Sequence, residues 1–73
     1  KEDYFKWFLQ VLILHSDNSD WTIKWLNVYL DIYENDKQTL PFLLHFNRRS
    51  FVADNLRIRK IVLDYEDSHK NSN

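Results

Sequence analysis

The basic side chains of this chain concentrate in one stretch, NRRSFVADNLRIRK, at positions 47–60. The stretch has a single acidic residue, although the net charge of the whole chain is −1. Cations on one side of a helix that can enter the major groove would bind the phosphates of duplex DNA. The candidate nucleic-acid contacts are Arg48, Arg49, Arg57, Arg59 and Lys60, which straddle the expected turn of a helix-turn-helix.

Helical spacing weakens this nucleic-acid hypothesis. Arg57 and Lys60 fall on one side of a continuous helix, whereas Arg59 falls nearly opposite, and an apolar stripe runs between them. Cations in that arrangement usually cover the rim of the stripe with their aliphatic stems. The acidic run at 64–67 would also repel phosphates and offers Lys60 a partner for an ion pair. The same cations could equally meet an acidic protein surface.

The residue types that most enzymes use are scarce. The chain has no cysteine and no glycine, so it contains neither thiolates nor the glycine-rich loops that bind phosphates and dinucleotides. The histidines are far apart in sequence, at 15, 45 and 69. A helical domain of this size rarely forms a substrate cleft. We therefore expect no catalytic residues, no metal, no cofactor and no small-molecule substrate, and we do not expect an enzyme.

Aromatic side chains give the strongest functional signal. The segments 3–16 and 21–35 both follow a helical period, and their apolar positions span about 220°, against roughly 100° for an ordinary surface helix. One neighbouring helix cannot cover so wide a face, so we expect a second copy or another protein to cover part of it. The predicted partner-contacting residues are Trp7, Phe8, Trp21, Trp25, Tyr29 and Tyr33.

Polar residues between these segments predict where the helices begin. The cluster DNSD at 17–20 favours a turn, with Ser19 or Asp20 as the N-cap of the second helix. Thr39 could cap a third helix that has Pro41 in its first turn, where the missing N–H is tolerated.

The segment 54–66 favours a fourth helix, capped by Asp54 or Asn55. Its apolar stripe follows helical spacing, whereas the alternation typical of a strand holds only from Leu56 to Arg59. The stripe consists of Ile58, Ile61, Val62 and Tyr65.

These features together predict an all-α domain, a small bundle of three or four short helices. Oligomerisation or a partner chain would complete its packing. We expect one domain over residues 1–67 and a frayed polar tail at 68–73. The absence of methionine indicates a piece of a larger protein.

The longest apolar run, VLIL, is far shorter than the roughly 20 residues of a membrane span, so we expect an intracellular protein, cytoplasmic or nuclear. The favoured function is protein–protein interaction or oligomerisation, and helix-turn-helix-like nucleic-acid binding is the alternative.

Overall fold

The computed structural model describes residues 3–49 and 54–70, and within these ranges it consists of four α-helices without a strand. The helices are α1 (Tyr4–His15), α2 (Ser19–Tyr33), α3 (Thr39–Arg49) and α4 (Leu56–Lys70). The closest packing is within the pairs α1 with α2 and α3 with α4, and the two pairs meet through α1 with α3 and α2 with α4. The predicted fold class, a small all-α bundle, is confirmed.

Short polar side chains define the start of α1 and α2. Asp3 caps α1 by accepting from the Lys6 N–H at 3.1 Å, and Asn18 caps α2 by accepting from the Trp21 N–H at 3.0 Å. The predicted caps of α2 were one and two residues too late. Asn18 has the extended backbone of a cap, whereas Ser19 is already the first helical residue.

The start of α3 is tied to the end of α2 by a buried threonine. Thr39 was expected to cap α3, but its side chain is fully buried and donates to the Tyr33 carbonyl at 2.6 Å. The Phe42 N–H instead bonds to the Gln38 carbonyl at 3.0 Å. Thr39 therefore satisfies a carbonyl at the end of α2, which intrahelical bonds leave free.

α4 is a helix from Leu56 onward, so the strand alternative is wrong. Asn55 caps it, as one of the two predicted candidates, by accepting from the Arg57 N–H at 2.9 Å. Its predicted stripe faces the bundle: Ile58, Val62 and Tyr65 are buried and Ile61 is half-buried.

α4 also continues three residues beyond the expected end of the domain. The Ser68 hydroxyl donates to the Tyr65 carbonyl at 3.2 Å, and the rings of Tyr65 and His69 stack with centroids 3.8 Å apart. These contacts extend the helix through 68–70, part of the expected frayed tail, while 71–73 lie outside the described residues.

The core draws on all four helices. Within it, the Tyr29 ring lies 5.1 Å from the Tyr33 ring and 5.1 Å from the Phe42 ring, measured between centroids. Every buried side-chain nitrogen or oxygen among the described residues has a hydrogen-bond partner. The buried apolar residues are Leu9, Ile13, Leu26, Tyr29, Tyr33, Phe42, Leu43, Phe46, Ile58, Val62 and Tyr65.

None of the four described helices is both long enough and apolar enough to cross a membrane.

Two identical leucine truncations test this core. Leu43 is fully buried, whereas Leu56 is 82% exposed. We predict that Leu43→Ala lowers the free energy of unfolding by about 2–5 kcal/mol and that Leu56→Ala changes it by less than about 0.5 kcal/mol. Urea unfolding of both variants measures the difference, and equal losses would show that the packing described here is wrong.

Candidate association surface

The polar side of α1 faces the bundle. The Lys6 side chain is only 18% exposed, and its ammonium lies 3.0 Å from the Asp36 carboxylate in the turn before α3. The Gln10 amide donates to the Tyr29 hydroxyl at 2.9 Å. Together with the buried Leu9, these residues give α1 an inner face that is partly polar.

Hydrogen bonds to carboxylates organise this inner face electrostatically. The pKa of Asp3 is lowered, first by the Lys6 backbone N–H and then by the Tyr33 hydroxyl. The pKa of Asp36 is lowered, first by the Gln38 N–H and then by the Lys6 side chain. Burial, together with the nearby Asp3 carboxylate, raises the pKa of Tyr33 to about 12. At neutral pH the cluster therefore combines two carboxylates, one ammonium and a neutral phenol.

The opposite side of α1 exposes four aromatic rings, which we call the α1 aromatic face: Tyr4, Phe5, Trp7 and Phe8. Their exposed fractions are 74%, 50%, 62% and 50% respectively. The half-buried Val11 continues this apolar side along the helix. Such a cluster on one helix differs from the scattered apolar residues that are normal on protein surfaces.

A second group of rings lies beside α1, in a groove of about 450 Å³ that we call the Trp21/Trp25 groove. The two indoles stack with centroids 6.0 Å apart, and the Lys24 ammonium lies 5.2 Å from the Trp21 ring centroid. Trp21 is 52% exposed and Trp25 is half-buried. Because Val11 and Leu12 line the same groove, it adjoins the apolar side of α1.

A second depression, of about 590 Å³, lies at the other edge of α1. Tyr4 and Trp7 of the α1 aromatic face line it, together with the polar side chains of Lys6, Gln10 and Gln38. The exposed rings of α1 therefore have a concave surface on each side.

The six predicted partner contacts divide into two groups. Trp7, Phe8 and Trp21 are at least half exposed and Trp25 is half-buried, so all four contribute to the surface. Tyr29 and Tyr33 pack within the chain's own core instead.

Tyr29 and Tyr33 lie in the core because their hydroxyls have partners on the inner side of α1. The Tyr29 hydroxyl accepts from Gln10, and the Tyr33 hydroxyl bonds to Asp3. Neither tyrosine is available to a partner chain. Tyr4 and Phe5, which were not among the predicted contacts, are also at least half exposed, and their spacing of three residues from Trp7 and Phe8 was a usable signal.

The three basic residues of the 47–60 stretch that lie on α4 are each within 4 Å of a carboxylate of the same chain, and all three are exposed. The predicted pairing of Lys60 with the following acidic run is confirmed. Exposed pairs of this kind contribute little stability, but they reduce the local positive potential that phosphates would meet. The pairs are Arg57 with Asp20 at 3.5 Å, Arg59 with Asp54 at 3.9 Å, and Lys60 with Asp64 at 3.0 Å.

The remaining cations of the basic stretch lie at the end of α3. Arg48 is exposed, and Arg49 is the last residue of that helix, with its side chain outside the described part of the structure. Residues 50–53, the expected turn of a helix-turn-helix, also lie outside it. Binding of nucleic acid by this stretch stays a prediction.

Potential metal ligands are dispersed. Over residues 3–49 and 54–70, no three histidine, aspartate or glutamate side chains come together as they would to hold a metal ion. His45 is exposed, and His69 stacks on Tyr65 with Nε2 3.9 Å from a Glu34 carboxylate oxygen. These positions are typical of surface and packing histidines.

Comparison with known proteins gives no further guidance to the role of this surface. No protein-family model, no curated protein and no solved structure matches the chain.

The lowered pKa values of Asp3 and Asp36 predict that the folded chain loses stability in acid. Because the pKa values of Asp3 and Asp36 are lowered in the folded chain, their stabilisation is complete above about pH 4 and is lost as pH falls through the lowered values. We predict that Asp36→Asn weakens this loss relative to the parent chain, with Asp31→Asn, at an exposed position of α2, as the control. Urea unfolding across a pH series measures the loss of unfolding free energy in each variant. If Asp36→Asn loses as much stability in acid as the unmutated chain, the Asp36 carboxylate is not its cause.

The paired cations predict weak affinity for nucleic acid. We expect no change in the fluorescence anisotropy of a labelled generic duplex at about 50 mM salt, where phosphate contacts are strong. Binding that falls steeply with salt, and that Arg57→Gln weakens, would instead support the helix-turn-helix alternative.

Proposed function

We propose that this chain is a protein–protein association module that contacts its partner through the α1 aromatic face and the adjoining Trp21/Trp25 groove. The observation that carries the proposal is the orientation of α1. Its polar residues Lys6 and Gln10 bond to the bundle, while four aromatic rings on the other side remain at least half exposed.

The size of this surface supports a binding role. A ring that contributes about 150–250 Å² when buried leaves about 100–150 Å² accessible at these exposures, or roughly 600 Å² for the α1 aromatic face and Trp21 together. The largest apolar patch of a typical monomer covers about 300–600 Å² and is often functional. The surface here lies at the upper end of that range in a chain of only 73 residues.

Burial of this surface would also contribute free energy to association. At about 25 cal/mol per Å², covering roughly 600 Å² is favourable by about 15 kcal/mol before the costs of association. Those costs are about 4–15 kcal/mol for lost translation and rotation, together with side-chain ordering. Matching apolar area on the partner increases the gain, so burial of these rings can offset the association costs. Trp and Tyr are also the residues most often found at interface hot spots.

Nucleic-acid binding has less support. The one lysine of α1, Lys6, is paired with Asp36, and α1 has no arginine. Arg57, Arg59 and Lys60 of α4 also have carboxylate neighbours. The exposed rings do not form the sheet platform on which aromatic RNA-binding domains stack bases.

Site-specific photo-crosslinking in the source cells tests the proposal. A photoreactive phenylalanine at Phe8 reports contacts of the α1 aromatic face, and the same group at Leu63 is the control. The two positions are matched, since Phe8 is 50% exposed and Leu63 is 51% exposed, each on a helix. We predict a discrete protein adduct from position 8 that is absent from position 63. No adduct from either position, or the same adducts from both, would refute the association role.

A further inference from the structure

We infer that the α1 aromatic face binds a second copy of this chain across a two-fold axis. The inference rests on the proposed function and names the partner of that surface. Area, charge and shape each support it.

The accessible area matches what each partner contributes to a stable dimer. An interface of standard size takes about 800 Å² from each partner, or about a tenth of a small protein's surface. The exposed rings offer roughly 600 Å² of the 5365 Å² accessible on this chain, and the half-buried Val11, Leu12 and Trp25 border them. One surface can therefore supply most of one half of a symmetric interface.

The charge of the face suits self-pairing in particular. A two-fold axis brings the same patch of both subunits together, so a charged residue near the axis would meet its own copy. The four rings of the α1 aromatic face and Val11 carry no charge, and the Lys6 ammonium pairs with Asp36 at 3.0 Å. Charged side chains lie at the edges of the surface: Asp3 and Lys6 line the depression at Tyr4 and Trp7, Asp17 lines the Trp21/Trp25 groove, and Lys24 lies over Trp21. The rings of two copies can therefore meet without bringing like charges onto the axis.

The shape of the surface combines projections with recesses, as an isologous contact requires. The rings of the α1 aromatic face project between the depression of about 590 Å³ at Tyr4 and Trp7 and the Trp21/Trp25 groove of about 450 Å³. Both recesses are open to solvent beside the rings. Rings of one copy can therefore enter recesses of the other while the reciprocal contact forms.

Light scattering of the purified chain from about 1 µM to about 1 mM tests the inference. We expect the mass to rise from that of one chain to that of two, and Phe8→Lys to raise the dissociation constant at least about tenfold, because it removes two rings and brings two cations together. Leu63→Lys is the control, since it introduces the same charge at a position of equal exposure. Tyr4→Lys, at a residue 74% exposed, repeats the test at a second site of the face.

Circular dichroism of the dilute variants confirms that each of them folds. A mass of one chain at every concentration would overturn the inference, as would growth beyond two chains or equal effects of Phe8→Lys and Leu63→Lys. If the chain stays monomeric while position 8 still crosslinks to another protein in cells, the association role survives and only the second copy is wrong. If neither is seen, both fail. Co-sedimentation with uncharged phosphatidylcholine vesicles that depends on Phe8 would likewise overturn the inference in favour of a lipid surface.

Discussion

The contacts that orient α1 determine the character of this protein's surface. A helix packed on one layer of neighbours buries a stripe of roughly 100°, so only part of the wide apolar arc of α1 can face the bundle. The ion pair of Lys6 with Asp36 and the hydrogen bond of Gln10 with the Tyr29 hydroxyl lie on the buried side, next to Leu9. With this side turned inward, the helical period places the aromatic rings outward.

This orientation separates the residues that fold the chain from those that are free to bind. The core already takes side chains from all four helices, and buried polar atoms among the described residues are satisfied. The four rings of α1 add little to it, because each remains at least half exposed. Their apolar area is therefore available to stabilise an interface, where the same hydrophobic effect acts between chains.

Local patterns were sufficient to predict the helices but not the rotation of α1. α4, its cap Asn55 and the pairing of Lys60 with Asp64 could be predicted because each depends on neighbours within about one turn. The contacts that turn Lys6 and Gln10 toward the bundle could not be predicted, since their partners lie 30 and 19 residues further along the chain. The same long-range contacts explain why two of the predicted partner contacts, on α2, are core residues, and why the N-terminal rings of α1 are exposed.

The accessibility of Trp7 shows whether the aromatic side of α1 points outward and whether association covers it. In a variant with Trp21→Phe and Trp25→Phe, acrylamide quenching of the remaining tryptophan reports its exposure alone. We predict free quenching in dilute solution, in line with the 62% exposure of Trp7, and protection as the concentration rises. Protection at every dilution would show that α1 packs with its rings inward. Free quenching at every concentration would show that a second copy does not cover the surface.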